Sequence, residues 1–285
     1  MSEREASDRG DREPDEPRGG ERRDELLLDT ALELAAAAGA IHLEIWRRFD
    51  PADVKLKSRR NPVTEADVAA ERKIVSELAR RFPDHRVVAE EEGGRAGAAA
   101  ETVVWHVDPL DGTVNFAHGL PLFTVSIAAW QGGVPRVGVV HAPALQETYS
   151  ARRGGGAWRN GERLAVSRCA ALREALLATG FSYQRNEVAA NNVREFSELV
   201  LQCRDVRRLG SAALDLALVA AGHYDAYWEP FLNSWDLAAG ILLVREAGGR
   251  VTDLAGGDAM LARGDVLASN GSDLHSHVFE RVRRA

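Results

Sequence analysis

The sequence predicts an α/β protein in which helices and sheets are stacked in layers. The first observation is a helical recurrence of apolar residues between Leu26 and Ile45. The second is a series of short β-branched or aromatic runs between residues 87 and 151, separated by Gly, Pro and Asp. The third is an alternation of helical and strand patterns over residues 191–269. Because no repeat or linker divides the chain, we expect one compact unit or two closely packed halves.

The first 24 residues differ in composition from the rest of the chain. Nearly all of them are Asp, Glu, Arg, Gly, Ser or Pro, and none is aromatic or β-branched. Such a segment cannot bury enough surface to offset the entropy that is lost when it becomes ordered. We therefore expect a disordered charged tail over residues 1–24 and a single folded domain over residues 25–285.

The expected elements follow from periodicity and breakers. A first helix runs from Leu26 to just before the Asp50-Pro51 pair, and Thr64 with Asp67 three positions later is typical of the start of a second helix. Strands are expected near residues 87–89, 103–107, 122–130, 137–141, 148–151, 224–229, 250–254 and 266–269, and later helices near residues 191–203, 211–222 and 235–247. The Gly132-Gly133 pair favours a hairpin, so part of the sheet should be antiparallel.

Composition and charge narrow the functional classes. The 285 residues carry 43 acidic and 36 basic side chains, a net charge of −7, whereas nucleic-acid-binding domains are typically basic. Apolar stretches are interrupted by charges or are far shorter than the roughly 20 residues of a membrane span. Two cysteines, Cys169 and Cys203, cannot form a disulfide framework, and the N-terminus lacks the apolar region of a secretory signal. We expect a soluble cytoplasmic protein with no membrane partner, and nucleic acid is a poor candidate partner.

One acidic motif carries the most chemical information. A hydrophobic strand leads into residues 108–113, DPLDGT. The proline fixes one backbone angle and Gly112 supplies a permissive backbone, so we expect a tight turn on which Asp108 and Asp111 face one point. Two like charges held that close favour a bound cation, and the amides of Gly112 and Thr113 would face an anion such as phosphate. Taken alone, Asp-Pro and Asp-Gly are also common turn formers.

Further carboxylates follow a strand or begin a helix. Three glutamates, residues 90–92, come directly after the strand near residues 87–89, and Asp236 begins the helix near residues 235–247. Solvation alone accounts for a glutamate cluster, and capping alone accounts for Asp236. However, the chain has no His/Cys cluster for zinc, no GxxxxGK[ST] loop, no GxSxG elbow and no dinucleotide fingerprint. Carboxylate oxygens, with the Leu110 carbonyl, point to Mg²⁺ or Mn²⁺.

Together these motifs resemble the inositol monophosphatase family of Mg²⁺-dependent, lithium-sensitive phosphatases. Three motifs occur in order: the Glu90-Glu91 pair, DPLDGTxNF over residues 108–116, and WDxAAG over residues 235–240. Lys57, PVTxxD over residues 62–67, GSAA over residues 210–213 and EAGG over residues 246–249 also fit, and the similarity extends from about Leu26 to the C-terminus. The family implies one catalytic domain folded as a layered αβαβα sandwich with two mixed, largely antiparallel sheets, usually in a homodimer.

The resemblance implies a ligand set for two or three Mg²⁺ ions in each site. The ligands would be Glu90, Asp108, the Leu110 carbonyl, Asp111 and Asp236, with Asp67 near a more weakly held ion. Thr113, paired with Asp67, would orient the attacking water, and Glu90 and Asp111 would complete the catalytic group. The amides of Gly112 and Thr113 would hold phosphate oxygens.

The same resemblance implies where the alcohol end of the substrate binds. Substrate contacts would come from Leu110, Asp111, Gly112, Thr113, Gly210, Ser211, Ala212, Glu229 and Asp236. Glu229 would accept hydrogen bonds from sugar hydroxyls, although it could equally be a charge at a strand end. Asn233 stands where several inositol-hydrolysing relatives carry His, which bears on substrate identity. His106 stands where an apolar strand residue is expected, and no sequence pattern accounts for it.

The reaction implied is Mg²⁺-dependent hydrolysis of a small polyol phosphate, with myo-inositol 1-phosphate the first candidate. Fructose 1,6-bisphosphate, histidinol phosphate and adenosine 3′,5′-bisphosphate are substrates of relatives with the same framework. A bisphosphate would need basic residues on the far side of the pocket, for which Arg185, Arg207 and Arg208 are candidates. A regulatory binding protein that retains the fold is the alternative of another class, against which the net charge and the intact ligand set weigh.

Overall fold

Helices and strands are distributed along the chain from Gly19 to Val282. The computed structural model describes residues 19–48, 55–58, 61–63, 65–90, 102–183 and 185–283. The helices in these residues are α1 (Gly19–Trp46), α2 (Glu65–Arg81), α3 (Thr113–Ala117), α4 (Val193–Val200), α5 (Ala212–Ala220), α6 (Ser234–Glu246), α7 (Met260–Arg263) and α8 (Leu274–Val282). The strands are β1 (Lys55–Ser58), β2 (Asn61–Val63), β3 (Arg86–Ala89), β4 (Val103–Asp111), β5 (Thr124–Gln131), β6 (Val134–Ala142), β7 (Glu147–Arg152), β8 (Gly156–Arg159), β9 (Glu162–Arg163), β10 (Leu176–Thr179), β11 (Asp205–Arg207), β12 (Ala226–Pro230), β13 (Arg250–Thr252) and β14 (Asp265–Ser269).

Two mixed sheets form the framework. The large sheet has seven strands in chain order from β3 to β9, and only its first pair, β3 with β4, is parallel. The small sheet has the order β11-β10-β12-β14-β13, with β10 parallel to both of its neighbours and β14 antiparallel to both of its own. A separate hairpin joins β1 and β2. The expected hairpin at Gly132 and Gly133 joins β5 to β6, and both glycines have positive φ.

Helices and sheets alternate in five layers, as the resemblance implied. Helices α1 and α2 cover one face of the large sheet, α5 and α6 lie between the two sheets, and α4 with α8 cover the outer face of the small sheet. Helix α6 lies so close to the large sheet that a Cβ at Gly138 would meet the backbone of Ala239 at 2.9 Å. Each interlayer space holds its own group of buried apolar side chains. The expected αβαβα sandwich is confirmed.

The N-terminal boundary differs from the expected one. Helix α1 begins at Gly19, whereas we expected disorder through residue 24. Asp24 is 5% exposed and accepts a hydrogen bond from Nε of Arg136 at 3.0 Å, while a second guanidinium nitrogen lies 2.8 Å away. Local composition missed this contact because Arg136 lies on β6, 112 positions later in the chain. The start of the fold is corrected to Gly19, and the rest of the expected tail lies outside the described residues.

Helix α1 is long and apolar enough to cross a membrane by length and composition alone. Its buried face packs against α2, β5 and β6, with Leu27, Leu34 and Ala38 inside the first interlayer core. A core helix of a folded domain passes the same test of length and composition.

Some elements were not expected from the pattern. Strands β8, β9, β10 and β11 and helices α7 and α8 have no counterpart among the predicted elements. The residues around β10, EALLATG, favour a helix by composition, but they lie between β11 and β12 in the small sheet. Tertiary pairing therefore overrides local propensity there. Thr64 lies outside the described residues, so its capping role stays a prediction.

We expect Asp24→Asn to lower the free energy of unfolding by about 1–3 kcal/mol, because the guanidinium of Arg136 loses its charged acceptor. Asp29→Asn, on an exposed position of the same helix, is the matched control and should change stability by less than about 0.5 kcal/mol. Urea denaturation of the three proteins measures this difference. Equal stability of the two variants would contradict the corrected boundary.

Candidate active site

An open cavity of about 160 Å³ lies where the two sheets and the central helices meet. Its walls come from the end of β3, the end of β4, the start of α5, the end of β12 and the start of α6. The lining residues are Glu90, Asp108, Leu110, Asp111, Gly112, Thr113, Phe181, Ser182, Tyr183, Arg208, Gly210, Ala212, Glu229, Phe231, Leu232, Asn233 and Asp236. The acidic motifs that are far apart in the sequence therefore meet at one place.

A bulge in β4 turns Asp108 and Asp111 toward the same cavity. Asp108 pairs with Ser126 of β5 and Asp111 pairs with Thr124, so three steps on β4 oppose two steps on β5. In a regular strand, residues three apart point to opposite faces, and the extra residue cancels that alternation. Pro109 fits there because a bulge does not need every backbone N–H for pairing. The expected tight turn after the strand is thus corrected to a bulge within it.

Glycine is required directly after the second aspartate. Gly112 has φ +90°, in the left-handed region, and a Cβ at this position would lie 2.7 Å from the Leu122 carbonyl oxygen. The backbone reverses there and continues into the short helix α3. A side chain at this position would therefore move the backbone that lines the cavity.

Asp111 is fastened to the start of α5. Its carboxylate accepts a hydrogen bond from the Ser211 hydroxyl at 2.6 Å and from the backbone amides of Ala213 at 2.8 Å and Ala212 at 3.2 Å. These donors are groups at a helix N-terminus, which favours negative charge. Burial raises the pKa of Asp111, whereas the hydrogen bonds oppose that rise. Ser211 itself does not line the cavity, and its hydroxyl donates to the Asp111 carboxylate.

The carboxylates around the cavity crowd one another. Burial raises the pKa of Asp108 well above its usual range, and the charges of Glu90, Asp111 and Asp236 raise it further. Burial and the Asp111 charge raise the pKa of Asp236 to about 7, although a hydrogen bond from Asp108 opposes the shift. Burial and mutual charge therefore both disfavour the ionised form of these carboxyl groups.

The position of Asp236 depends on the first turn of α6. Its carboxylate accepts a hydrogen bond from the backbone amide of Asn233 at 2.6 Å, which is the capping role expected for it. It also lines the cavity, so capping and ligand geometry are compatible. The Ser126 hydroxyl of β5 donates to the Trp235 carbonyl at 3.1 Å and fixes the same turn to the sheet.

Thr113 lines the cavity, whereas Asp67 does not. The Thr113 hydroxyl donates to the Leu110 carbonyl oxygen at 3.0 Å. Asp67 is buried on α2, outside the residues that line the cavity, and its charge raises the pKa of Asp108. The expected pairing of Thr113 with Asp67 stays a prediction.

Glu229 lies in the cavity wall contributed by β12. Its Oε2 accepts a hydrogen bond from the Tyr227 hydroxyl at 2.5 Å, and its carboxylate occupies the space that a Cβ at Gly180 would need. Burial raises the pKa of Glu229 to about 7, although the Tyr227 bond and the Arg208 charge oppose the rise. A carboxyl group held in this way can accept a hydrogen bond from a ligand hydroxyl.

Most of the expected site residues meet at the cavity. Those that line it are Glu90, Asp108, Leu110, Asp111, Gly112, Thr113, Gly210, Ala212, Glu229 and Asp236, whereas Asp67 and Ser211 do not. The main residues missed are Phe181, Tyr183, Phe231 and Leu232, whose apolar character carries no functional signal in the sequence. Among the described lining residues Arg208 is the single cation, and it is the one of three candidate arginines that reaches the cavity.

The donor set fits a hard divalent cation. Of the five carboxyl groups that line the cavity, four belong to the expected ligand set, and Leu110 lines the cavity beside them. Oxygen is the donor that such cations prefer. Within the described chain no three His, Cys, Asp or Glu side chains already converge as a closed metal cage.

Comparison with known proteins identifies the family of the chain. The sequence profile of the inositol monophosphatase family matches residues 23–285, nearly the whole chain. The chain belongs to the inositol monophosphatase family. It is a phosphatase of this metal-dependent family, as the order of its motifs indicated.

Individual relatives carry two kinds of name. The chain is 44% identical over 244 residues to an inositol-1-monophosphatase from Synechocystis, covering 86% of this chain and 84% of that protein. It is 44% identical over 247 residues to the Nus factor SuhB of Pseudomonas aeruginosa, covering 86% and 91% of the two chains. The solved inositol monophosphatase from Anabaena superposes with a TM-score of 0.81 at 40% identity, covering 90% of this chain and 95% of that one.

We expect the stability of the metal-free protein to depend on pH through Glu229. This carboxyl group titrates near 4.5 in an unfolded chain and near 7 in the folded one, so the unfolded state loses its proton first as pH rises. The free energy of unfolding therefore falls between those two pH values. Glu229→Gln removes this contribution, so the variant should gain up to about 3 kcal/mol relative to the wild type between pH 5 and pH 8.

Urea denaturation in a chelator at pH 5 and pH 8 measures this gain. Glu187→Gln, at an exposed position outside the cavity, is the matched control and should give the same small difference at both pH values. A pH-independent effect of Glu229→Gln would show that the carboxyl group titrates normally in the folded protein.

Proposed function

We propose that the protein is a Mg²⁺-dependent phosphomonoesterase that acts on a small polyol phosphate, with myo-inositol 1-phosphate as the best candidate. The observation that carries the proposal is the convergence of Glu90, Asp108, Asp111 and Asp236 on one cavity, with Glu229 in the same cavity wall. The carboxylates suit hard cations, and Glu229 suits a hydroxyl-rich leaving group. The similarity to an enzyme named inositol-1-monophosphatase supports the choice of substrate.

The proposed ligands would hold two or three Mg²⁺ ions, with Mn²⁺ as a substitute. They are Glu90, Asp108, the Leu110 carbonyl, Asp111 and Asp236, and Asp67 lies close enough to influence Asp108. When bound, the metal supplies Lewis acidity that polarises the phosphoryl group and offsets the charge of a loose transition state.

The protein's own groups would position the reactants. Gly112 and Thr113 line the cavity at the start of α3, and their backbone amides would hold phosphate oxygens there. The Thr113 hydroxyl, now bonded to the Leu110 carbonyl, would orient the attacking water. Asp111 keeps its orientation through the α5 amides, so it does not have to reorganise during the reaction.

The leaving-group end of the substrate would face Glu229 and Arg208. Glu229 has one oxygen engaged by Tyr227 and can accept hydrogen bonds from substrate hydroxyls with the other. Arg208 offers the one charged donor among the described lining residues, so a bisphosphate such as fructose 1,6-bisphosphate or adenosine 3′,5′-bisphosphate would have a single cation for its second phosphate. With one cation among its described lining residues for a second phosphate, the cavity suits a monophosphate better than a bisphosphate. Histidinol phosphate, which is also a monophosphate, stays a candidate to be compared directly.

The same proposal covers assembly and location. We infer a homodimer in the cytoplasm from the family resemblance and from Cys169 and Cys203, which are free thiols in the described residues. Light scattering coupled to size-exclusion chromatography tests the oligomeric state.

A binding role is the second candidate function. The P. aeruginosa relative is named a Nus factor, so a relative that is 44% identical carries a name from outside enzymology. This matches the alternative of a regulatory binding protein with the same fold. A catalytically inactive variant of this chain separates the two functions. A binding role would survive in that variant, whereas a purely enzymatic role would be lost.

The proposed reaction is tested by phosphate release from inositol 1-phosphate, glycerol 2-phosphate, histidinol phosphate and the two bisphosphates, with and without Mg²⁺. We expect Mg²⁺-dependent release with the highest kcat/KM for inositol 1-phosphate. Asp108→Asn should lower kcat by several orders of magnitude, because it removes a ligand charge. The same variant should keep or gain stability in the metal-free form, since a desolvated, repelled carboxylate is lost.

Asp29→Asn, on an exposed part of α1, should retain full activity and serves as the control. Normal turnover by Asp108→Asn would remove the proposed ligand assignment. Absence of release from every substrate would leave the binding role as the better candidate.

Lithium provides an independent test of the cation site. We expect Li⁺ at millimolar concentration to inhibit phosphate release, as the family resemblance implies, whereas the same concentration of K⁺ should not. Steady-state assays at fixed Mg²⁺ and ionic strength measure this. Equal rates in the two salts would show that the weakly held cation position, near Asp67, differs from that of the family.

A further inference from the structure

His106 lies in the interlayer space behind the cavity. It stands two positions before Asp108 on β4, so both side chains point to the face of the large sheet that α6 covers. Its Nδ1 lies 2.9 Å from the hydroxyl oxygen of Ser234, the first residue of α6. His106, for which the sequence pattern gave no role, therefore joins β4, which carries Asp108, to α6, which carries Asp236.

Polar contacts between β4, β5 and α6 are spaced along the start of the helix. The Ser126 hydroxyl donates to the Trp235 carbonyl at 3.1 Å, and the Trp130 indole N–H donates to a carbonyl of the following turn at 3.3 Å. The bond between His106 and Ser234 is the one nearest the N-terminal end of α6 among these. It therefore acts on the turn that enters the cavity.

That turn determines where Asp236 points. Asp236 accepts the Asn233 backbone amide at 2.6 Å, so the orientation of its carboxylate follows the backbone of the first turn. Asp236 and Asp108 line the same cavity, and the charge of Asp236 raises the pKa of Asp108. When both groups are ionised to bind a cation, their like charges oppose this approach, so the contact needs support from elsewhere.

We propose that His106 is a positioning residue for the metal site: through Ser234 it holds the first turn of α6 against β4 and keeps Asp236 beside Asp108. The inference rests on the proposed function, since it concerns the cation that these carboxylates would share. An apolar residue at position 106 would fill the same space but would leave the turn without this bond. The bond should therefore raise the affinity of the site for its divalent cation.

The small sheet contains a matched control pair. Ser269, the last residue of β14, places its hydroxyl oxygen 2.8 Å from Nδ1 of His275 on α8. Both residues are buried, and neither lines the cavity. Loss of either serine hydroxyl removes a hydrogen bond between serine and histidine, but only Ser234 is next to the cavity.

The test measures Mg²⁺ binding by isothermal titration calorimetry on the full chain. We expect Ser234→Ala and His106→Phe to weaken Mg²⁺ binding about tenfold, the lower end of what loss of a ligand's supporting contact typically causes. His106→Asn should restore most of the affinity, because its side-chain amide can still bond to Ser234. Ser269→Ala should lower the melting temperature with wild-type Mg²⁺ affinity.

Kinetics provide a second readout. In the Ser234→Ala variant the Mg²⁺ concentration for half-maximal activity should rise by the same factor, whereas kcat at saturating Mg²⁺ should stay within about twofold of wild type. Wild-type Mg²⁺ affinity in both Ser234→Ala and His106→Phe would overturn the inference and leave His106 a structural residue. Failure of the wild type to bind Mg²⁺ would instead overturn the proposed function, and this inference with it.

Discussion

Repulsion among buried carboxylates is the constraint around which this structure is arranged. Glu90, Asp108, Asp111 and Asp236 line one cavity, and Asp67 is close enough to add its charge. Burial and mutual repulsion raise the pKa of Asp108 and Asp236, so the arrangement is unfavourable unless protons or a cation neutralise it. A protein that keeps such a group must hold it in place with contacts that do not depend on the cation.

Two helix N-termini and one bulge supply those contacts. The bulge in β4 points Asp108 and Asp111 the same way, and the first amides of α5 bind the carboxylate of Asp111. The first turn of α6 holds Asp236 through its own backbone amide. Since α5 and α6 form the layer between the two sheets, packing of the whole sandwich determines how closely the carboxylates approach. The layered fold and the acidic site are thus parts of one arrangement.

The rest of the cavity has a different character. The cavity is also lined by Glu229, Arg208 and aromatic residues that include Tyr183 and Phe231. Glu229 is fixed by Tyr227 and by close contact with Gly180, so its free oxygen has a defined direction. These residues come from segments between regular elements or from strand ends, where substitution changes ligand contacts with little effect on the core. Under the proposed function, substrate choice would therefore depend on these residues.

The sequence alone predicted the α/β class, the family and most residues of the cavity. Periodicity identified α1, the strands β3 to β7 of the large sheet and the α5 and α6 helices, because their apolar patterns are long or alternating. The acidic motifs predicted the carboxylates that meet at the cavity, because several oxygen donors in ordered motifs are typical of a site for a hard cation. Where a short apolar run could be helix or strand, as at β10, the pattern predicted no element, because sheet pairing determines the state of such a run.

Only the tertiary structure decided how those residues act together. It replaced the expected turn at Asp108 and Asp111 by a bulge, moved the start of the fold to Gly19 through the contact of Asp24 with Arg136, and assigned the Ser211 hydroxyl to Asp111. Each of these depends on a partner far away in the chain, which no local pattern encodes. Motif chemistry is determined by residue type and spacing, whereas the orientation and charge state of each carboxylate depend on what the fold packs against it.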